Sequence, residues 1–336
     1  MQREWRVAWL VLVALSVSAH AAPPAWTDTS PHAEGFVVVN GVRLEVLNWG
    51  GHGPALILIP GLGDNPHIFD DLAPALTDRF HVVAYARRGN GLSEARPPYD
   101  TGTLTEDLRG LMDAMGIARA HLVGWSLGGN EITEMAARYP DRVGRLVYLD
   151  AGYDWSDPDF RLAHEAQPAG LLDTPDSATK SLDAYREYER RLLFPGLDDM
   201  SRVEAYLRES VVVQGDGRVA PRMSEETGAA IFAALWQSAP LNYRRVKSPA
   251  LAFYARSILD SHLPDARARR DFREWERRYM GPFREKSIER IQRELVNVQV
   301  IRIPGSHNSF FLTSKDEVVG RMRAFLGDGS GPDTAP

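Results

Sequence analysis

With 336 residues, 44% hydrophobic and 25% charged, the chain is long enough to bury a full core and has an ordinary globular balance. A net charge of −6 excludes the concentrated basic surface that a nucleic-acid partner requires. The absence of cysteine excludes disulfides and lipid attachment through a thiol.

Residues 1–22 place Arg3 and Arg6 before an apolar run from Val7 to Val17, followed by Ala19-His20-Ala21. This is the layout of a secretory signal peptide cleaved after Ala21 or Ala22, and the run is too short to span a bilayer comfortably. The expectation is an exported protein, periplasmic or secreted, with no stable membrane anchor after cleavage. From Phe36 to Val46, two short strands surround Asn40-Gly41, the pair suited to a two-residue hairpin. Ala55 to Ile59 reads as a strand covered on both faces. It runs into the loop Pro60-Gly61-Leu62-Gly63-Asp64-Asn65 at its carboxyl end, where open α/β sheets bind ligands.

A helix is expected around Ile68 to Leu76, a strand over His81 to Tyr85, then the loop Arg87 to Ser93 and a helix from Leu104 to Met115. The strand ending in Leu122-Val123 enters Gly124-Trp125-Ser126-Leu127-Gly128, and a helix over Glu131 to Arg138 is closed by Pro140. In G-x-S-x-G the chain turns so sharply between strand and helix that small residues must surround the turn, which lifts the central serine clear of the sheet. Arg145 to Asp150 is another buried strand. This alternation predicts an α/β fold, a mostly parallel sheet flanked by helices.

The rhythm breaks after Gly152. Leu182 to Phe194, Arg202 to Val213 and Glu225 to Trp236 read as amphipathic helices, so 153–247 is expected to be a helical cap inserted between core segments 35–152 and 248–326. The sheet resumes at Pro249 to Tyr254 and at Val298 to Ile303, and a last helix covers Lys315 to Leu326. Residues 327–336 have the composition of a frayed tail. Arg267 to Arg278 interleaves arginines with Asp271, Glu274 and Glu276, as a solvated helix face does.

A serine hydroxyl is a poor nucleophile near neutral pH, so Ser126 needs a base in reach and a third group to orient that base. Of the nine histidines, His307 alone sits in a loop just beyond the last strand. His121 lies inside a strand, and His67 and His262 flank the expected cleft. The orienting carboxylate has two candidates at strand carboxyl ends, Asp260 and Asp150, and either keeps the order Ser, Asp, His. Two backbone N–H groups must face the developing negative charge, and those of Leu127 and Leu62 are placed for it. The glycine-rich loop has no Walker lysine, which argues against a phosphate cradle.

These residues resemble the α/β-hydrolase fold family of serine hydrolases from about Phe36 to Leu326, the cap apart. Pro60-Gly61-Leu62-Gly63 is similar to the family's His-Gly oxyanion loop, with proline where histidine is usual. Arg88-Gly89-Asn90-Gly91-Leu92-Ser93 is similar to its R-G-x-G-x-S loop. The G-x-S-x-G stretch resembles the nucleophile elbow, and Gly305-Ser306-His307 the histidine loop. The family's usual acid stands in a D-x-x-x-P setting, which Asp260 to Pro264 matches; on that resemblance Asp260 is favoured over Asp150.

The resemblance implies an acyl-enzyme on Ser126 and no metal or organic cofactor. Serine at the elbow weighs against the haloalkane dehalogenases and epoxide hydrolases of the family, which use aspartate. The expected substrate is a small, mainly apolar carboxylic ester or lactone. Trp125, His67, Tyr153, Trp155 and Phe310 are candidates to line its pocket, beside Phe160, Phe232, Trp236 and Phe311. Carbon–carbon bond or amide hydrolysis with the same triad, and a non-catalytic ligand-binding receptor on the same fold, are the alternatives. Nothing in the sequence specifies an oligomeric state.

Overall fold

The computed structural model describes residues 26–171, 174–259, 263 and 266–327. The expected signal peptide, Asp260, His262 and tail residues 328–336 lie outside the described residues.

Strands β1 (Ala33–Val39) and β2 (Val42–Gly50) form the opening hairpin. Asn40 (φ 50°) and Gly41 (φ 73°) both take the left-handed conformation that its tight turn demands. After β3 (Ala55–Ile59) the sequence predicts one helix, but two 3₁₀ turns form instead, Pro66–Phe69 and Ala73–Leu76. Each carries a proline at its start. Pro74 also lacks the N–H that a continuous helix through this stretch would use. Next come β4 (His81–Tyr85), α1 (Thr101–Ala114), β5 (Ala120–Trp125), α2 (Gly128–Arg138) and β6 (Val143–Leu149).

The insert between β6 and the next sheet strand contains α3 (Pro158–Glu165), α4 (Leu182–Leu192), α5 (Glu204–Glu209), a hairpin of β7 (Val211–Val213) and β8 (Val219–Pro221), and α6 (Glu225–Gln237). The single helix expected over Arg202 to Val213 is thus a short helix followed by a strand. Three consecutive β-branched valines, and the turn at Gln214–Gly217, favour the hairpin there.

The chain returns through β9 (Ala250–Ser257), α7 (Ala266–Trp275), α8 (Gly281–Glu294), β10 (Val298–Ser306), α9 (Phe310–Thr313) and α10 (Lys315–Leu326). A π-helical turn, Glu276–Met280, joins α7 to α8.

One sheet runs in the order β1-β2-β4-β3-β5-β6-β9-β10, with β2 antiparallel to both its neighbours and every later pairing parallel. Successive residues of β3 enter different cores: Ile57 and Ile59 pack on the side of α1, α2 and α8, whereas Leu56 and Leu58 pack on the side of α10 and the 3₁₀ turns. This explains the unbroken apolar run, since a parallel strand covered on both faces has no solvent-facing register. It also leaves the carboxyl ends of β3, β5, β6 and β10 as the places where polar side chains gather.

Candidate active site

Strands β5 and β6 pair in parallel up to Trp125 opposite Leu149, so the residues that follow them, Ser126 and Asp150, leave the sheet side by side. Both have positive φ, 53° and 43°, a conformation costly for side chains with a Cβ. Backbone bonds hold them there, Ser126 N–H donating to Leu149 O at 3.2 Å and Asp150 N–H to Phe253 O at 2.8 Å.

The elbow closes because its glycines touch backbone. A Cβ on Gly124 would stand 2.6 Å from the Gly128 carbonyl carbon, and one on Gly128 would stand 2.5 Å from Ile59 O. Any side chain at either position would push the helix off the sheet. Gly61 lies against the serine itself, since a Cβ there would approach Ser126 Cβ to 3.3 Å. The loop containing Leu62 therefore borders the nucleophile. Leu127 precedes α2, whose first N–H groups have no intrahelical acceptor.

The loop Arg87 to Ser93 braces this arrangement. Arg87 donates to Gly61 O at 3.0 Å and to Pro60 O, and its Nε donates to the buried Glu131 at 2.6 Å. Asn90 Oδ1 accepts from Gly63 N–H at 2.6 Å. With the carbonyls of Pro60 and Gly61 held by a guanidinium and the Gly63 N–H held by Asn90, the oxyanion loop is fixed in place.

His307 follows β10, where its N–H donates to Ser257 O at 2.9 Å. Its own carbonyl accepts from Trp125 Nε1 at 3.1 Å, which ties the histidine loop to the residue before the nucleophile. The imidazole Nδ1 stands 2.6 Å from Asp150 Oδ2. Asp150 is fully buried, and burial drives a carboxyl toward its neutral form. That push is outweighed first by the charge of Arg284, then by His307 and the Tyr153 hydroxyl, which together hold Asp150 down at about 2. Arg284 Nη2 lies 3.1 Å from Asp150 Oδ1, Tyr153 Oη donates to the same oxygen at 2.6 Å, and Ala255 N–H does so at 3.2 Å. An ionised carboxylate only accepts, so the shared proton belongs to Nδ1 and leaves Nε2 as the basic nitrogen.

The carboxylate at His307 Nδ1 is Asp150, the other of the two candidate acids; Asp260 lies outside the described residues. The position of Asp150 at the strand end, with three donors converging on it, leaves Nδ1 already occupied. Arg284 was not foreseen. Its signal lay in the spacing Phe283, Arg284, Ser287, Ile288, Ile291, which puts an arginine on the buried stripe of α8.

A second acid was also missed. Asp64, in the oxyanion loop, accepts from Tyr206 Oη at 2.6 Å and lies near enough to His307 for their charges to interact. Burial raises its carboxyl to about 6, against the pull of Tyr206, His307 and Arg87. Behind it, burial lifts Glu189 to about 7; the Tyr185 hydroxyl bonded to it lowers that value and the charge of Asp64 adds to the rise.

Several residues expected in the pocket have other tasks. Tyr153 is fully buried and bonds to Asp150, while Trp125 is buried and holds the His307 carbonyl. Trp155 packs against Phe160, Phe283 and Tyr153, and Phe310 lies wholly within the core beside Phe311. Rings at helical spacing or after a strand filled the cores because burying them there removes large apolar areas from water. His67 is buried with its ring nitrogens toward Asp70 and Glu209. His121 accepts from Arg145 N–H at 3.0 Å, a structural role within the sheet.

The eight-stranded sheet, its serine elbow and its histidine loop define an α/β-hydrolase fold, and residues 54–195 match the α/β-hydrolase fold family model. The chain thus has the α/β-hydrolase fold. It is 38% identical over 173 residues to RutD of Caulobacter segnis, a protein named for carbamate hydrolysis, the match covering 50% of this chain and 62% of that one. It is 32% identical over 160 residues to 2-(acetamidomethylene)succinate hydrolase of Mesorhizobium japonicum, covering 47% of this chain and 49% of the relative. The chain therefore spans about half to three fifths of the length of these relatives. Among solved structures, E-2-(acetamidomethylene)succinate hydrolase superposes with a TM-score of 0.63 at 23% identity, covering 88% of this chain and 99% of that one.

Proposed function

We propose that this chain is a serine hydrolase that cleaves a carboxylic ester or lactone of a small, mainly apolar substrate through an acyl-enzyme on Ser126. The observation that carries this reading is the short contact between His307 Nδ1 and a charge-balanced Asp150, on strands whose ends also present Ser126. Nε2 of His307 takes the serine proton as Oγ attacks the carbonyl. The N–H groups of Leu62 and Leu127 hold the oxyanion, the leaving group departs with the proton from His307, and water activated by the same nitrogen releases the acid.

A nitrogen leaving group is the second reading, favoured by the relatives named for carbamate and acetamidomethylene-succinate hydrolysis. The same residues serve it, with His307 as the proton donor to nitrogen. Carbon–carbon cleavage and a silent receptor remain further readings of the same residues. The layout of residues 1–22 supports export, to the periplasm or beyond.

A fluorophosphonate probe tests the core of this reading. Wild type should label at Ser126, and Ser126→Ala should not. An unlabelled but folded wild type would overturn it. Initial rates on p-nitrophenyl esters, aryl lactones and matched anilides then separate the two leaving-group readings.

A further inference from the structure

Away from Ser126, a second group of polar side chains converges beneath the insert. Asp28 and His32 come from the segment before β1, Glu34 from β1 itself, His67 and Asp70 from the 3₁₀ turn after the oxyanion loop, and Glu209 from α5. Ligand atoms of Asp28, His32, Glu34 and His67 all lie within 4.8 Å of one another. The individual gaps are short: His32 Nε2 stands 3.2 Å from Asp28 Oδ2 and 3.2 Å from Asp70 Oδ1, and His67 Nε2 is 3.7 Å from Glu34 Oε1 and 3.4 Å from Glu209 Oε2. Two ligands of one tetrahedral ion at about 2.0–2.1 Å are separated by about 3.3–3.4 Å, the same scale.

The side chain of His32 is only 2% exposed, yet neither of its ring nitrogens makes a hydrogen bond within the described residues. Asp28 Oδ2, Asp70 Oδ1 and Glu209 Oε1 are likewise buried without one. Burying unsatisfied polar atoms is costly, and here they are concentrated at one point and aimed at each other. Glu45, also buried, joins His67 and Glu209 at the far side, so five carboxylates surround two imidazoles. Even with both rings protonated the group would be left with net negative charge. Arg208 and Arg222 line the same cavity of about 230 Å³, but Arg208 is held by Glu204 and Arg222 by the carbonyls of Glu209 and Val211.

We infer that Asp28, His32, Glu34 and His67 form a site for a divalent cation of the zinc class. The mixture of imidazole and carboxylate selects a borderline ion over calcium or magnesium, and the cluster holds neither the thiolate nor the thioether that copper(I) prefers. Asp70 Oδ2, 2.8 Å from His67 Nδ1, is the outer carboxylate that turns Nε2 toward the ion. Glu209 brings the insert to the same point. Its helix α5 also carries Tyr206, which bonds to Asp64 in the oxyanion loop, so the ion would tie the N-terminal segment to the core at the place where the insert packs on it.

The untagged full chain, stripped with a chelator, should bind about one zinc(II) per chain, and zinc in hundredfold excess over its Kd should raise Tm by about 5 °C. Cobalt(II) should give the visible absorption of an imidazole-ligated, low-coordinate ion. His32→Gln, folded by circular dichroism, should lose both signals, with affinity down at least about 100-fold. Asp28→Asn, at the more open edge, provides the second variant should His32→Gln fail to fold. The inference is overturned by unchanged Tm with no stoichiometric zinc or cobalt binding, which would make the group an imidazolium–carboxylate network. Variants that bind zinc as tightly as wild type would overturn it equally.

Discussion

Two carboxyls feel the charge of His307, and their surroundings drive them in opposite directions. Asp150, at the end of β6, has a guanidinium, a tyrosine hydroxyl, a backbone N–H and the imidazole around it, and is held at about 2. Asp64, in the oxyanion loop, has one tyrosine hydroxyl and is raised by burial to about 6. Burial by itself favours the neutral acid in both places, so the difference lies in the matched positive charge of Arg284. A group that must remain ionised to orient a base is supplied by the rigid core. A group able to change its charge near neutral pH stands where the insert meets the loop.

The sharpest way to break this contrast is Asp150→Asn. The amide can donate to Nδ1 and impose the wrong tautomer on His307, so kcat on the preferred substrate should fall by about 10³- to 10⁴-fold. Asp260→Asn measured alongside should cost little. The reverse result would return the orienting role to Asp260.

Next in size is Arg284→Met, which leaves Asp150 buried without its counter-charge. It should cost about 3 to 5 kcal/mol in urea unfolding at pH 7. A loss below about 1 kcal/mol would show that Tyr153 and Ala255 suffice to hold the charge.

The pH dependence of stability separates the two acids by sign. Asp150 is lowered from 3.8, so the folded state keeps it ionised longer; its contribution is present above about 4 and is lost as pH falls through about 2. Asp64 is raised from 3.8, so the folded state retains a proton that the unfolded chain has released. Its contribution is present below about 4 and is lost as pH climbs through about 6. Asp64→Asn should therefore stabilise the protein at pH 8 relative to wild type by about 1 to 2 kcal/mol, the part open to the cleft discounting the full shift. At pH 4 the gain should vanish. Equal gains at both values would exclude titration of Asp64 as the cause.

The smallest expected change is that of Tyr206→Phe. Removing the hydroxyl that lowers Asp64 should move the acid's titration upward by about half a unit to one unit, read from the carboxyl resonance by NMR. A downward move would show that the hydroxyl favours the neutral acid.

Much of this frame was legible beforehand because it is local. Asn40-Gly41, the apolar run Ala55–Ile59, the small residues around Ser126 and the placement of His307 after the last strand each specify a turn, a buried strand or a loop from a few neighbouring side chains. The misreadings came where a local signal met a distant partner. Tyr153 and Phe310 have the aromatic character of pocket residues, and nothing nearby in the chain shows that one meets Asp150 while the other enters the core.

By itself, then, the sequence determined the strands of the main sheet, the serine elbow and the histidine that follows the last strand, since hydrophobic period and glycine sterics act over short spans. Only the tertiary structure decided which aspartate meets that histidine, because the answer depends on the register of β6 beside β5 and on Arg284 arriving from a helix 134 residues away. The same holds for the acids and imidazoles gathered under the insert. Charge balance in a buried place is a property of the assembled fold, and no stretch of chain carries it alone.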